Sequence, residues 1–213
     1  MHQTGPAERD FQQALLRYSQ EPDAGERARI EEGLWARFGA TQAVLVADMS
    51  GFSMITNRHG IVHYLSMVHR MQRTAEPIVQ GFGGVLVKFD ADNCFAMFPQ
   101  ARQAIRAALA LNHAFDAANR MTPDELDIRL GCGIDAGRIL VLEDRDFFGE
   151  AVNRASKLGE DLAEPGEILV SDIAMQQAGA DPGWHAEPQA FSISGLQWQG
   201  YRIRASDAED EPD

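Results

Sequence analysis

Cysteine is scarce in this sequence of 213 residues, which contains only Cys94 and Cys132. Each lies in an apolar, strand-like run, so a disulfide framework is not expected and a reducing cytoplasm fits the composition. The sequence also lacks any apolar run long enough to span a membrane, and Met1-His2-Gln3 does not begin a signal-like segment. We therefore predict a cytoplasmic protein without a membrane partner.

Basic residues are also few: 19 Lys and Arg stand against 32 Asp and Glu, which gives a formal net charge of −13 at pH 7. This charge disfavours nucleic acids and anionic membranes as partners, because both would be repelled. An anionic nucleotide would need metal cations and local basic groups to bind. With 45% hydrophobic and 24% charged residues, the chain fits one globular domain with appendages.

The first part of the chain predicts two helices ahead of the main domain. Residues 1 to about 8 are expected to be disordered, and the segment that follows forms a short amphipathic helix. Asp23, with Glu26 three residues later, resembles a capping box that opens the second helix. Such helices more often pack on their own domain than serve dimerisation or signal relay. The expected organisation is a helical extension at 1–40, a main domain at 41–204 and an acidic disordered tail at 205–213.

Strand-like and helical segments alternate beyond residue 40, with hairpin-like pairs inserted. This pattern predicts an α/β fold with a mixed sheet and flanking helices. Residues 126–134 alternate like a strand, and Asp135-Ala-Gly-Arg138 is expected to turn the chain into a second strand at 139–142. A single helix is expected over 150–162.

Two carboxylate-bearing stretches indicate a functional site. Asp48 ends an apolar, buried strand, and Ser50-Gly51 then allows a tight turn into a helix whose amides can approach an anion. Asp90 and Asp92 lie at the turn of a later hairpin, and either is expected beside Asp48 if that hairpin flanks the first strand. Two strand-end carboxylates beside such a loop are what a two-metal nucleotidyl-transfer site requires, although Asp is also a common turn residue without a ligand role.

Three histidines, His59, His63 and His69, suggest a metal site at first sight. We interpret them as surface histidines, because Gly60 interrupts the helix between the first two. In addition, no cysteine or carboxylate completes a set at zinc-like spacing.

Four segments resemble, in the right order, motifs of the catalytic domain of the class III nucleotidyl cyclases, the adenylate/guanylate cyclase family. The resemblance covers about residues 42–204, essentially the whole globular part. Each motif is weak alone, but four in register are a strong signal. The segments are Asp48-Met-Ser-Gly-Phe-Ser53, Gly83-Gly-Val-Leu-Val-Lys88-Phe-Asp-Ala-Asp92, Gly133-Ile-Asp-Ala-Gly137 and Asp146-Phe-Phe-Gly-Glu-Ala-Val-Asn153-Arg-Ala-Ser-Lys157-Leu.

The resemblance implies the ferredoxin-like (palm-type) catalytic fold of these cyclases, with a mixed β-sheet and flanking helices. It also implies an adenylate cyclase-type phosphorus–oxygen lyase that converts ATP to 3′,5′-cyclic AMP and pyrophosphate by a two-metal mechanism. The cofactors would be two divalent cations, Mg²⁺ or Mn²⁺. The active form would be a head-to-tail homodimer in which one subunit supplies the metal ligands and the other the base-reading, ribose and transition-state residues.

Site residues follow from the same resemblance, position by position. Two carboxylates would hold the metals, a Lys donor and an Asp acceptor would read adenine, an Asn would orient the ribose, and a cation would stabilise the transition state. Backbone amides after the first strand would hold the β- and γ-phosphates. In that order the residues are Asp48 and Asp92; Lys88 and Asp146; Asn153; Lys157; and Met49, Ser50, Gly51, Phe52 and Ser53.

Three positions depart from the family pattern. Ala91 replaces the glycine before the second metal carboxylate, and Asp135 stands where histidine is common. Lys157 replaces the transition-state arginine; it keeps the positive charge but loses the bidentate fork, so its phosphate contacts would be fewer and looser. Arg138 is an alternative cation, whereas Arg154 points to another side of the helix.

Two alternative functions therefore remain beside the adenylate cyclase. The first is a catalytically weak cyclase-like module that binds nucleotide or a partner and serves regulation, which Lys157 favours. The second keeps the reaction but changes the substrate to GTP or a pyrimidine nucleotide, against which Lys88 and Asp146 speak.

Overall fold

The structure is a computed structural model in which most of the chain is described. The terminal segments predicted to be disordered lie mostly outside the described part. The described residues are 5–143, 145–193 and 196–206, apart from the side chains of Phe52, Ser53, Ile193 and Leu196. Among the helices in these ranges, none combines the length and the hydropathy needed to cross a bilayer.

Helices and strands alternate along most of the chain, as predicted. The helices are α1 (Pro6–Gln20), α2 (Ala24–Phe38), α3 (Phe52–His59), α4 (Ile61–Gly81), α5 (Ala101–Asn119), α6 (Glu150–Ser156) and α7 (Asp172–Ala178). The strands are β1 (Gly39–Met49), β2 (Val85–Asp90), β3 (Asn93–Phe98), β4 (Leu130–Leu142), β5 (Asp146–Phe148), β6 (Ile168–Ser171), β7 (Trp184–Ile193) and β8 (Leu196–Ala205).

The strands form one mixed sheet in the order β2-β3-β1-β4-β6-β8-β7, with β5 paired to β4. β4 and β6 run parallel, whereas β1 is antiparallel to both of its neighbours. The predicted α/β fold with a mixed sheet is therefore confirmed. Ala205, which the prediction assigned to the tail, pairs with Trp184 as the last residue of β8, and residues 207–213 lie outside the described part.

The helices α1 and α2 pack on the main domain. α1 begins at Pro6, inside the segment predicted to be disordered, because a proline in the first helical turn is pre-organised for the helix. Asp23 caps α2 as predicted, and its carboxylate accepts a hydrogen bond from the Glu26 amide at 2.9 Å. Phe11 and Leu34 are buried in a cluster with Leu142 of β4. The extension thus packs on its own domain, which was the favoured interpretation.

The central strand β1 separates two apolar cores. Leu45 and Ala47 belong to the core covered by α4 and α5, whereas Val44 and Val46 belong to the core on the opposite face, with residues of α6. Because side chains alternate along a strand, Asp48 continues the second set. Its carboxylate therefore lies on the α6 face of the sheet.

The turn predicted at residues 135–138 is wrong, since β4 is one continuous strand of 13 residues. It pairs with β1 along its full length, with Ala136 opposite Ala43 and Gly137 opposite Gln42. The Asp-Ala-Gly sequence is typical of a turn, but long-range pairing with β1 overrides that local preference. Asp135 is consequently buried inside the sheet rather than exposed at a turn.

The helix predicted over 150–162 is also corrected: α6 ends at Ser156, and a π-helix follows (Lys157–Leu162). This segment rests directly on the sheet through glycines. A Cβ atom added to Gly159 would lie 2.8 Å from the Val46 carbonyl oxygen and 2.9 Å from the Gly133 nitrogen. Glycine at both Gly133 and Gly159 therefore permits the close contact between helix and sheet backbones.

We expect Ala91→Gly to raise the free energy of unfolding by up to about 1 kcal/mol in urea denaturation. Ala91 is exposed at the β2–β3 turn with φ of 51°. This left-handed conformation costs a residue with a Cβ about 1–2 kcal/mol, partly offset by the greater unfolded-state entropy of glycine.

The matched control for this measurement is Ala117→Gly, at an exposed position inside α5. It should lower the free energy of unfolding by about 1 kcal/mol, because glycine is a poor helix former. A loss of stability in Ala91→Gly as large as in the control would contradict the prediction.

Candidate active site

The structure brings Asp48 and Asp92 together at the end of β1. Asp48 pairs with Asn93, the residue after Asp92, and the Met49 amide donates a hydrogen bond to the Asp92 carbonyl oxygen at 3.2 Å. Asp92 is buried, whereas Asp90, the other hairpin candidate, is exposed. Only the second strand of the hairpin flanks β1. The geometry thus favours Asp92 over Asp90 as the neighbour of Asp48.

The two carboxylates lie in a negative, poorly solvated environment. Burial, together with the smaller effects of the charges of Asp92 and Glu160, raises the pKa of Asp48 from 3.8 to about 7. Tyr64 of α4 also lies beside Asp92. Burial, the charge of Asp92 and a hydrogen bond to Asp92 raise the pKa of Tyr64 to about 12. Asp48 therefore exchanges its proton near neutral pH, where a bound cation would favour the ionised form.

Tyr64 and Glu160 are site residues that the sequence did not reveal. Tyr64 belongs to the buried stripe of α4, so its spacing is that of an ordinary core residue. Glu160 lies in the π-helix, and burial, opposed by a hydrogen bond with Ser156, raises the pKa of this carboxyl. Its position three residues after Lys157 is the one signal that could have drawn attention to it.

The predicted phosphate cradle is smaller than expected. The Met49 amide donates to the Asp92 carbonyl oxygen, and the Ser50 amide donates to the Arg129 carbonyl oxygen at 3.0 Å. Gly51 has φ of 89° and directly precedes α3. The amides at 52 and 53 belong to the first turn of α3, where a helix has no internal acceptors for its amides. The amides suited to an anion are therefore those from Gly51 onward.

Lys88 and Asp146 form a direct ion pair, with 2.8 Å between Lys88 Nζ and Asp146 Oδ1. Their side chains are 36% and 33% exposed, so a ligand can reach both. An irregularity in the β2–β3 pairing between Leu86 and Lys88 places Lys88 opposite Phe95. This bulge turns both Val87 and Lys88 to the α6 face, where Val87 joins the core with Phe95.

Two aromatic rings support the Lys88–Asp146 pair. Lys88 Nζ lies 5.3 Å from the centroid of the Phe95 ring, and Phe95 packs edge-on against Phe147 at 6.3 Å. The Phe147 amide donates a hydrogen bond to Asp146 Oδ1 at 2.9 Å. Lys88 and Asp146 are thus held side by side by contacts with Phe95 and Phe147.

Asn153 and Lys157 project from the segment that follows β5. Asn153 is exposed on α6, and the Lys157 side chain, 43% exposed, has its Nζ 3.6 Å from Asp161 Oδ2. Both alternative arginines are engaged elsewhere. The Arg138 guanidinium lies 4.6 Å from the centroid of the Trp35 ring, and Arg154 contacts Glu150 and the buried Asp135.

The histidines of α3 and α4 agree with the surface interpretation. His59 and His69 are exposed. His63 is half-buried, its Nε2 atom lies 2.7 Å from the Glu125 carbonyl oxygen, and its ring stacks on His59 at 4.6 Å.

The Asp48–Asp92 pair fits divalent cations that are also bound by nucleotide phosphates. Within the described ranges, no group of three or more His, Cys, Asp or Glu side chains is arranged to hold a metal ion. Mg²⁺, however, usually takes one or two carboxylates and completes its shell with water and substrate phosphates. The raised pKa of Asp48 agrees with such a role, because a bound cation would offset the negative charge around it.

A curated protein resembles this chain in sequence. This relative is the putative adenylate cyclase 3 of Rhizobium meliloti (strain 1021). This chain is 36% identical to it over 130 residues, which are 61% of this chain. The chain spans about a fifth, 22%, of the length of that relative. No family model matches the chain.

Solved structures resemble the chain over almost their whole length. The adenylate/guanylate cyclase/hydrolase from Silicibacter pomeroyi has a TM-score of 0.63 at 28% identity, with 80% of this chain and 98% of that chain covered. The adenylyl cyclase CyaB from P. aeruginosa has a TM-score of 0.67 at 18% identity, again with 80% and 98% covered. At its lower identity, the second similarity supports the fold alone.

As the pH rises from about 4 to about 7, the free energy of unfolding of the wild type should fall relative to that of Asp48→Asn. Above pH 7, the difference between the two proteins should level off. The folded-state pKa of Asp48, about 7, lies above its ordinary value of 3.8. The folded protein therefore binds more protons than the unfolded chain between these values, so rising pH destabilises it. The total change should be a few kcal/mol at most.

Urea denaturation at a series of pH values, with a chelator present, measures this difference. In an Asp92→Asn background the transition should move to lower pH, because one cause of the raised pKa is removed. A difference that is constant with pH, or that grows as pH rises, would show that Asp48 is not held in this environment.

Proposed function

Because the chain belongs to the class III nucleotidyl cyclase family and has its catalytic fold, we propose that it is an adenylate cyclase. It converts ATP to 3′,5′-cyclic AMP and pyrophosphate as a homodimer. The observation that carries the proposal is the contact between Lys88 and Asp146, a cationic donor 2.8 Å from a carboxylate acceptor. The R. meliloti relative is named a putative adenylate cyclase, which agrees with this choice of nucleotide.

The Lys88–Asp146 pair suits the edge of adenine. The adenine ring accepts a hydrogen bond at N1 and donates one from the neighbouring exocyclic amine, so it needs a donor and an acceptor side by side. Guanine presents O6 and N1–H in the opposite sense, and the same pair would face it mismatched. Since a buried mismatch leaves polar groups unpaired, it lowers affinity strongly.

Asp48 and Asp92 would hold two divalent cations, Mg²⁺ or Mn²⁺. When bound, these ions supply charge neutralisation on the phosphates and lower the pKa of the ribose 3′-hydroxyl that attacks the α-phosphorus. The chain's own contribution is a carboxylate pair held at the end of β1 by strand pairing. Asp48, with its pKa of about 7, is readily ionised once a cation replaces its proton.

The remaining residues orient the substrate and stabilise charge. The amides from Gly51 into the first turn of α3 would bind the β- and γ-phosphates, helped by the field of the helix N-terminus. Asn153 would orient the ribose, and Lys157 would stabilise the charge that develops on the α-phosphate. An ammonium group makes looser phosphate contacts than a guanidinium group, so a modest turnover is expected.

Each site would be shared between two subunits. Asp48 and Asp92 of one copy would work with Lys88, Asp146, Asn153 and Lys157 of the other, as the family pattern implies. The exposure of Asn153 and of the Lys157 side chain supports this arrangement, because both are accessible to a second copy.

Purified protein incubated with each of the four ribonucleoside triphosphates and Mn²⁺ or Mg²⁺ should form cyclic AMP, detected by mass spectrometry. Asp92→Ala should abolish the product, because one metal carboxylate is lost. A cyclic product from GTP or a pyrimidine nucleotide would refute the assignment of Lys88 and Asp146. Absence of product from the wild type and from Lys157→Arg alike would favour a nucleotide-binding or regulatory module.

A mixture of two inactive variants should recover part of the wild-type activity. Asp92→Ala lacks a metal ligand and Lys88→Ala lacks a base contact, so a mixed head-to-tail dimer has one doubly impaired site and one intact site. Product is measured after the two proteins are unfolded and refolded together, with each variant alone as the control. No recovery, with mixed dimers verified by affinity tags, would contradict sites shared between subunits.

A further inference from the structure

Asp135 is a buried carboxylate in the middle of β4, and only 1% of its surface is exposed. The Ser171 hydroxyl donates a hydrogen bond to its Oδ1 atom. On the other side, Arg154 Nε lies 3.4 Å from its Oδ2 atom. Each carboxylate oxygen of Asp135 therefore has a side-chain partner: Ser171 of β6 at Oδ1 and Arg154 of α6 at Oδ2.

Such a group is retained in a fold only when its partners compensate for lost hydration. Burial raises the pKa of Asp135, whereas the hydrogen bonds from Ser171 and from the Ala136 backbone and the charge of Arg154 oppose that rise. Removing either partner would leave a buried polar group unsatisfied. The three side chains thus form one buried polar unit, with Ser171 and Arg154 on different oxygens of Asp135.

Arg154 connects this unit to the segment that carries the ribose and transition-state residues. It directly follows Asn153 and lies one helical turn before Lys157. The Arg154 side chain is only 19% exposed, and its guanidinium lies 5.7 Å over the Trp198 ring of β8. The side chain is therefore fixed at both its charged edge and its flat face.

The backbone contacts of this segment do not by themselves fix its rotation. A Cβ atom added to Gly133 would lie 2.1 Å from the Ala155 carbonyl oxygen, so helix and sheet meet closely there, and Leu158 packs in an apolar cluster with Leu169 and Phe191. The segment then changes from α-helix to π-helix at Lys157. These apolar contacts hold the segment on the sheet, and the directional contacts of Arg154 with Asp135 and Trp198 add a constraint on which way Asn153 and Lys157 face.

We propose that Asp135 is a positioning residue: through Arg154 it holds α6 in the rotation that presents Asn153 and Lys157 to the nucleotide. This inference rests on the proposed function for its catalytic consequence. Such a role would account for an aspartate at position 135, where the family commonly has histidine. The anchor also reaches β6, because Ser171 caps α7 by accepting a hydrogen bond from the Ala174 amide at 3.0 Å.

The experiment compares Asp135→Asn and Arg154→Gln with two matched controls. Glu150→Gln removes the charge of the exposed second partner of Arg154. Ser171→Ala removes the cap of α7 and the hydrogen bond to Asp135 Oδ1, but leaves the Arg154 contact at Oδ2. We expect Asp135→Asn and Arg154→Gln to lower kcat for cyclic AMP formation about ten- to a hundredfold, with KM for ATP within about twofold, because misplaced catalytic groups act on the transition state.

The controls and the conservative variant separate positioning from stability. Glu150→Gln should leave kcat unchanged, and Ser171→Ala should lower the melting temperature with little loss of kcat. Arg154→Lys should keep more activity than Arg154→Gln, because a cation still faces Asp135. A loss of kcat in Ser171→Ala equal to that in Asp135→Asn would overturn the proposal in favour of a purely structural role.

Amide hydrogen exchange provides a readout that does not require activity. In Asp135→Asn, exchange should accelerate in residues 150–158, while α4 keeps its protection. Unchanged protection of 150–158, or a uniform loss across the domain, would refute the anchor. If the wild type forms no cyclic product, the proposed function fails, whereas the exchange result still decides whether Asp135 holds α6.

Discussion

The concentration of negative charge where β1 meets the β2–β3 hairpin is the constraint on which the rest of the site depends. Asp48 and Asp92 are brought together by strand pairing, and Glu160 from the π-helix adds its charge to theirs. Within the described part of the chain, burial and the charges of Asp92 and Glu160 together raise the pKa of Asp48 to about 7. The fold therefore keeps the carboxylates close against their mutual repulsion, which a proton on Asp48 or a bound cation would relieve.

The base-reading half of the proposed site depends on a different physical device. Regular alternation would turn neighbouring side chains of β2 to opposite faces. The irregularity between Leu86 and Lys88 suspends that alternation, so Lys88 shares a face with Phe95 and reaches Asp146. One short hairpin thus supplies Lys88 from its first strand and Asp92 from its turn, four residues apart. Under the proposed function they serve opposite sites of a dimer, so a single hairpin couples the geometry of both.

Local patterns predicted most of the helices and strands, and they failed where long-range contacts decide. Asp23 signalled its helix cap, and the apolar run before Asp48 signalled the central strand. The Asp135-Ala-Gly137 sequence indicated a turn, but pairing with β1 holds it extended. The bulge before Lys88, the π-helix after Ser156 and the partner of Asp135 arise from packing between distant segments, which spacing cannot reveal. Tyr64 likewise has the periodicity of a core residue, and only the folded arrangement places it beside Asp92.

Arg154 of α6 and Lys157 of the following π-helix have different partners, so they suit different roles. Arg154 faces the buried Asp135 and stacks over Trp198, a position that needs a planar guanidinium with several donors. Lys157 lies at the start of the π-helix beside the exposed Asp161, in a weak pairing that solvent screens. A nucleotide phosphate could displace that pairing far more easily than the buried one. Under the proposed function, the Arg154 guanidinium places the segment, and the Lys157 ammonium group is the cation available to the substrate phosphate.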